Sequence, residues 1–324
     1  PQRQQYCDYG VPSRLRQACK LDSCSRLTKP PATSSPPVIG RKVRMSPLEI
    51  PFPEINPIAL QIGPIAVRWY GLAYAAGLIL GWLYIRRLLQ SSQLWKNDTS
   101  PMSPDDADEL LLWVAAGVIL GGRLGHVLFY HSDYYFSNPL EIFAIWKGGM
   151  SFHGGLLGTG LAMYLYARRT GISVWPVMDL VSAAVPIGLF FGRVANFINA
   201  EVVGSPTDMP WGMVFPGSGP EALHPAMLYE AALEGIALFF ILRYFTHARL
   251  ALKMPGLTTG IFLTGYAVFR IFCELFKIVD YRLIYADYPI TKGMVYSVPM
   301  FILGLWFIYR ARTRANDAAE EKTA

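Results

Sequence analysis

The chain has 324 residues, of which 52% are hydrophobic and only 16% charged, and its mean hydropathy is positive. That balance lies outside the soluble globular range and makes a bilayer the expected solvent. The formal net charge of +6 would suit a nucleic-acid partner, but the basic residues gather in the first 44 residues and at alternate ends of apolar stretches, a topology signal that excludes nucleic acid.

Residues 1–44 carry nine Lys or Arg and a Pro-rich stretch from Pro30 to Pro37, with no apolar run able to serve as a secretory core. They read as a disordered leader outside the working protein, with Met45 as its natural start. Arg and Ser content with few acids also resembles an organelle transit peptide. Cys7, Cys19 and Cys24 lie in this leader and Cys273 stands alone, so no disulfide framework or metal-ligand spacing follows. From 45 to 310 there is no repeat or long linker, which predicts one membrane domain, and 311–324 reads as a polar, mobile cytoplasmic tail.

The segment 46–62 places Pro47, Pro51, Pro53 and Pro57 among alternating apolar residues, as in an extended arm at the outer interface. About 20 apolar residues cross roughly 30 Å of hydrocarbon. On that scale the chain reads as an all-α polytopic protein with about seven spans, at 64–86, 108–130, 152–169, 176–197, 225–245, 257–276 and 294–310. The third and fourth hold enough Gly, Pro and polar residues to leave one of them open to being broken or re-entrant. Basic residues follow the first span (Arg86, Arg87, Lys96), the third (Arg168, Arg169), the fifth (Arg243, Arg249, Lys253) and the last (Arg310, Arg312, Arg314). These ends are expected to be cytoplasmic, with the amino end outside. The connection 131–151 offers only Lys147 and 198–224 has no basic residue, whereas 277–293, with Lys277, Arg282 and Lys292, fits less well.

Ionisable groups inside spans are costly and face a cavity or a partner. The densest set is Gly192-Arg193-Val-Ala-Asn196-Phe-Ile-Asn199-Ala-Glu201, closed by Gly204 as a turn residue. Arg193, Asn196 and Asn199 share a helix face by their spacing of three. A lone Arg at a helix end ordinarily snorkels to the interface. With two amides and a carboxylate beside it, it suits a polar headgroup: guanidinium for phosphate, amides for hydroxyls and carbonyls, carboxylate to orient the Arg. A second set, Gly148-Gly-Met-Ser-Phe-His153-Gly-Gly, puts an imidazole able to act as general base at a helix start. The alternative for His153 is packing beside the small-residue pair Gly154 and Gly158. On the sixth span Arg270, Glu274 and Lys277 follow at helical spacing, where Arg270 and Glu274 can neutralise each other. His224-Pro225, with Tyr229 and Glu230, opens the fifth span, His224 as a candidate cap. Arg123, His126 and Asp179 are given structural roles.

Together these motifs resemble the bacterial phosphatidylglycerol–prolipoprotein diacylglyceryl transferase family. The matching pieces run through 47–310: Ile62-Gly-Pro64 with Trp69-Tyr70-Gly71, Leu120-Gly-Gly-Arg123-Leu-Gly, the segment around His153, the segment from Gly192 to Glu201, His224-Pro225 with Tyr229-Glu230, and Arg270 with Glu274. The resemblance implies an inner-membrane enzyme that moves the diacylglyceryl group of phosphatidylglycerol onto the lipobox cysteine of a prolipoprotein signal peptide and releases glycerol phosphate. It implies catalytic roles for His153, Arg270 and Arg193, and phosphatidylglycerol binding by Arg193, Asn196, Glu201, Gly204 and Tyr70. Asn199, Glu274 and His224 would support them, with no cofactor and no metal. The chain departs from the family's usual pattern at Leu223, Met227, Ala200, Lys277 and His126. Those departures keep a non-catalytic lipid-binding paralogue as the rival reading. A transporter, the other rival, predicts internal repeats that the sequence lacks. Deleting residues 1–44 is expected to leave membrane insertion unchanged, as checked by membrane fractionation of the truncated chain; loss of insertion would refute the reading of this segment.

Overall fold

A computed structural model describes residues 50–53, 55–63, 65–130, 132–145, 148–277 and 290–320. The leader and its cysteines, Met45, Lys147 and Arg282 lie outside the described residues. The chain begins with β1 (Ile50–Pro51), β2 (Ile58–Ile62) and β3 (Ile65–Arg68), of which β2 and β3 form an antiparallel hairpin turning at Gly63, whose φ is +58°. Helices α1 (Trp69–Gln90), α2 (Asp106–Phe129), the short α3 (Ser132–Ser137), α4 (Phe152–Thr170) and α5 (Val174–Ile198) follow. A connection containing β4 (Met213–Val214), paired in parallel with β1, leads to α6 (Ala226–Glu230), a π-helical stretch Ala231–Ala237, α7 (Leu238–His247), α8 (Leu257–Glu274) and α9 (Lys292–Glu320).

Helices therefore occupy each predicted apolar stretch, and α1, α2, α5 and the Lys292–Asp317 part of α9 are long and apolar enough to cross a membrane. Their outer faces leave Leu78, Ile79, Leu112, Ile119, Ile302 and Leu305 exposed, an apolar surface suited to lipid. Some boundaries differ from expectation. Residues 65–68 are strand rather than the first turn of α1, because β-branched Ile65 and Val67 sit just past a left-handed turn and pair with β2. Neither α4 nor α5 is broken, although Pro186 lies within α5. The irregular backbone falls instead in the fifth stretch, as the π-helical residues between α6 and α7. The tail from 311 continues α9 to Glu320, its Arg and Ala residues being good helix formers.

The basic helix ends meet one another. Arg86, near the end of α1, pairs with Asp105 and Asp108 at the start of α2, each at 2.9 Å. Lys253, beyond α7, reaches Asp98 beyond α1 at 2.9 Å, Arg169 at the end of α4 lies 3.9 Å from Glu109, and Arg310 covers Trp175 at the start of α5. An apolar core beneath them includes Leu88, Leu110, Tyr166, Val177, Leu180 and Leu252. Asp179 on α5 accepts bonds of 2.7 Å from the N–H groups of Gly256 and Thr259 and from the Thr259 hydroxyl, so its carboxylate caps α8.

Between α2 and α4 the contact is backbone on backbone. A methyl added at Gly121 would press on the Gly154 carbonyl and lie 2.7 Å from the Gly158 Cα, and one at Gly125 would lie 2.7 Å from the Gly154 Cα. In a lipid solvent such close approach of small residues is a main source of helix association. Gly121→Ala is therefore expected to lower stability by about 1–3 kcal/mol through overpacking. Gly160→Ala, where the new methyl meets nothing within 4 Å, is expected to be neutral or stabilising. Thermal unfolding of the two variants in detergent micelles checks the contrast.

Candidate functional site

At the helix ends opposite the basic ones, six charged side chains from α5, α6, the π-helical stretch and α8 converge. Glu230 and Glu234 are fully buried and Glu274 nearly so. Arg193 Nε lies 3.1 Å from Glu230 Oε2, and its Nη2 lies 3.4 Å from Glu234 Oε2. Arg270 bonds Glu230 through Nη1 and Glu274 through Nη2 at 2.6 Å, with Glu234 Oε1 at 3.8 Å. Lys277 Nζ lies 2.6 Å from Glu230 Oε1 and 3.5 Å from Glu274 Oε1. Three carboxylates thus face three cations, a balance that low-dielectric burial demands. The Arg270–Glu274 pair was legible in the spacing. Lys277 is a member of this cluster rather than a free loop charge, which removes one of the basic residues that fitted the topology poorly.

One turn along α5 a second polar group forms. Tyr70 on α1 donates to Glu201 Oε2 at 2.6 Å, and Asn196 Nδ2 donates to the Tyr70 hydroxyl and, at 3.5 Å, to Glu201 Oε2. The carboxylates on Arg193 are consequently Glu230 and Glu234, not Glu201 as expected. Asn199 does not join either group: as the last cap of α5 it bonds back to the Ala195 carbonyl at 3.0 Å. The turn that aims Glu201 is made by Ala200 and Val202, with φ of +53° and +60°, a conformation that costs a β-branched residue more than a glycine. Gly204 serves another purpose. It packs where a side chain would strike the Phe276 and His224 backbone, and its N–H donates to the His224 carbonyl at 2.8 Å, so the loop closes on the end of α8.

His224 does not cap α6, whose N-cap is Pro225. Its Nδ1 meets the Tyr229 hydroxyl at 3.0 Å, and that hydroxyl accepts from Trp211 at 2.7 Å. The hydroxyl's one proton is then free for Nδ1 when the imidazole is the tautomer protonated on Nε2. Burial holds His224 below the ordinary histidine value, in keeping with that neutral form.

His153 is the second residue of α4, whose N-cap Ser151 accepts from the Gly154 N–H. Its ring packs edge-on against Tyr296 of α9, with centroids 5.5 Å apart. One turn before Tyr296 stands Gly293, where any side chain would collide with the Glu274 carboxylate. The first turn of α9 therefore bridges His153 and the charged cluster. The loop leading to His153 is organised by Arg123, which is buried and donates to the carbonyls of Glu141, Ile142, Ala144, Gly148 and Gly149 at 2.5–3.2 Å. Its structural role and that of Asp179 agree with the sequence reading. Glu234 was missed, although an acid inside the apolar run from Ala231 to Ala237 was itself a signal. Among the described residues no group of His, Cys, Asp and Glu has metal-holding geometry.

The chain is similar to known proteins of a single family. The prolipoprotein diacylglyceryl transferase family profile matches residues 57–310. A phosphatidylglycerol–prolipoprotein diacylglyceryl transferase from Rhizobium meliloti (strain 1021) is 56% identical over 270 residues, which cover 83% of this chain and 96% of the relative. Proteins of the same name from Agrobacterium fabrum (strain C58), at 53% over 83% of the chain and 96% of the relative, and Brucella anthropi, at 51% over 82% and 96%, are similar in the same way.

The ion-pair geometry separates two lysines. Lys277→Ala, which removes a partner from two buried carboxylates, is expected to cost about 3–5 kcal/mol. Lys253→Ala, which breaks an exposed pair, is expected to cost no more than about 1 kcal/mol. Denaturation midpoints of the purified variants measure the difference.

Proposed function

Because the chain belongs to the prolipoprotein diacylglyceryl transferase family, we propose that it transfers the diacylglyceryl group of phosphatidylglycerol to the lipobox cysteine of a prolipoprotein signal peptide, the first step of lipoprotein maturation. The observation that carries this reading is the pairing of Arg193 and Arg270 over shared buried carboxylates, one helical turn from the Tyr70–Asn196–Glu201 group. In the reaction the cysteine thiol gives up its proton, the sulfur forms a bond to the glycerol carbon, and the carbon–oxygen bond to phosphate breaks. The electron pair leaves on the phosphate oxygen as glycerol phosphate. Arg193 and Arg270 stabilise that growing charge, and preorganised cations are effective where water is excluded. His153 takes the thiol proton. Tyr70, Asn196 and Glu201 hold the headgroup hydroxyls, and Gly204 allows the loop to close on the site. Glu274 and His224 support this arrangement, and Asn199 contributes only by capping α5.

Seven spans in the bacterial inner membrane, amino end periplasmic and carboxyl end cytoplasmic, accompany the proposal. Its support is that the basic helix ends lie together while the site occupies the opposite ends. A non-catalytic lipid-binding role is the second reading, favoured by one observation: His153 packs on Tyr296 rather than on either arginine. Incubating the purified chain in phosphatidylglycerol vesicles with a lipobox peptide separates the readings. Thioether product is expected; lipid binding without product would select the second reading. His153→Gln is expected to lower the rate about 10²- to 10⁴-fold while lipid binding persists. Full activity in a stable His153→Gln chain would remove the imidazole from the mechanism.

A further inference from the structure

Within the charged cluster Glu234 is held unlike its neighbours. Glu230 makes short contacts with Arg270, Lys277 and Arg193, and Glu274 lies 2.6 Å from Arg270. Glu234 is just as deeply buried, yet its contacts are the long ones: 3.4 Å from Oε2 to Arg193 and 3.8 Å from Oε1 to Arg270. Its Oε1, like Glu230 Oε2, has no hydrogen-bond partner, so the difference between the two carboxylates lies in the length of their contacts. One carboxylate thus spans two guanidinium groups from different helices, held to Arg193 by a single long hydrogen bond and to Arg270 by charge alone.

The backbone brings it there. Glu234 lies in the π-helical stretch, a rare geometry that recurs at functional sites. The next residue, Gly235, packs so closely on α5 that an added methyl would stand 2.9 Å from the Phe190 Cα. Phe190 is one turn before Arg193, so this contact sets the reach between Glu234 and that guanidinium. The Arg193 side chain keeps 19% of its surface exposed while Glu234 keeps none. An anion arriving from outside meets Arg193 with the carboxylate behind it.

We infer that Glu234 is a positioning residue for the transfer: it sets the spacing and tilt of Arg193 and Arg270 from behind, and yields its long contact with Arg193 when a phosphate takes the exposed side. This rests on the reading above that both arginines receive the lipid phosphate. The charge competes with the phosphate while it aligns the arginines, so removing it has opposed effects on binding and turnover. In Glu234→Gln the arginines hold an anion more tightly and less productively.

The test uses the full chain in phosphatidylglycerol vesicles with a lipobox peptide, measuring kcat and the inhibition constant of glycerol phosphate. Glu234→Gln is expected to lower kcat about 10- to 100-fold, the scale of a small misplacement of catalytic groups. Inhibition by glycerol phosphate is expected to tighten roughly tenfold as the like charge is removed. Activity and inhibition falling only in proportion to the folded fraction would overturn the inference, as would wild-type values of both. Should Glu234→Gln fail to fold, Glu234→Asp keeps the charge on a shorter arm. Its kcat is expected to fall by a similar 10- to 100-fold with unchanged inhibition, and a wild-type kcat would overturn the inference. A wild-type chain that forms no thioether would reject the activity itself, whereas an active wild type beside an unaltered Glu234→Gln rejects only the role of Glu234.

Discussion

Three carboxylates in an interior that excludes water need three cations within reach, and much of the arrangement of α5 to α8 follows from that requirement. Each unpaired ion would cost several kcal/mol, and mutual attraction offsets the loss only when the geometry is close. Here the partners come from four places in the chain: Arg193 on α5, Glu230 at the end of α6, Glu234 in the π-helical stretch, and Arg270, Glu274 and Lys277 along α8 and just beyond it. No one helix can satisfy its own charges, so the cluster specifies which helices are neighbours. The connection from Gly204 to His224 is drawn into the same arrangement by backbone bonds to Phe276, one residue before Lys277.

A different force assembles the other half. Lipid tails are as apolar as leucine, so helices gain little by turning leucines toward each other, and close packing of small residues decides the contact. Gly117, Gly121 and Gly125 on α2 meet Gly154 and Gly158 on α4 at backbone distance. That contact fixes the first turn of α4, and hence His153, relative to Arg123, whose guanidinium gathers the preceding loop. His153 and the cations therefore belong to two separately stabilised substructures, joined where α9 passes Tyr296 against His153 and Gly293 against Glu274.

What the sequence made legible divides along the same line. Apolar stretches and their basic ends located the helices to within about five residues, apart from the carboxyl end of α9, because hydropathy and charge are local properties. Arg270 with Glu274 was visible for the same reason, being four residues apart on one helix. Arg193 with Glu230 and Glu234 was not, since those partners lie about forty residues away and nothing local favours them over Glu201. The hairpin at 58–68 was hidden because a short apolar run reads equally as strand or helix until its partner strand is known. Ala200 and Val202 carry left-handed backbone without the glycine that would have announced it. Asn199, in step with Arg193 and Asn196 by spacing, is lost to the site because α5 ends one residue earlier and its amide serves the helix cap.

On the proposed reading, the two polar groups on α5 divide the recognition of a single headgroup. Arg193 and Asn196 are three residues apart, which on an α-helix is a rise of about 4.5 Å with both side chains on one face. Arg193 stands among charges and Asn196 among a phenol, an amide and a carboxylate with hydrogen-bonding capacity for hydroxyls. A phosphate carrying a short polyhydroxyl chain can address both at once, the phosphate at Arg193 and the hydroxyls at the Tyr70–Asn196–Glu201 group. On the proposed reading, preference for a glycerol headgroup comes from the spacing of the two groups along one helix. α5 is continuous from its Ser173 cap to Ile198, so both groups are carried on one element and keep that spacing.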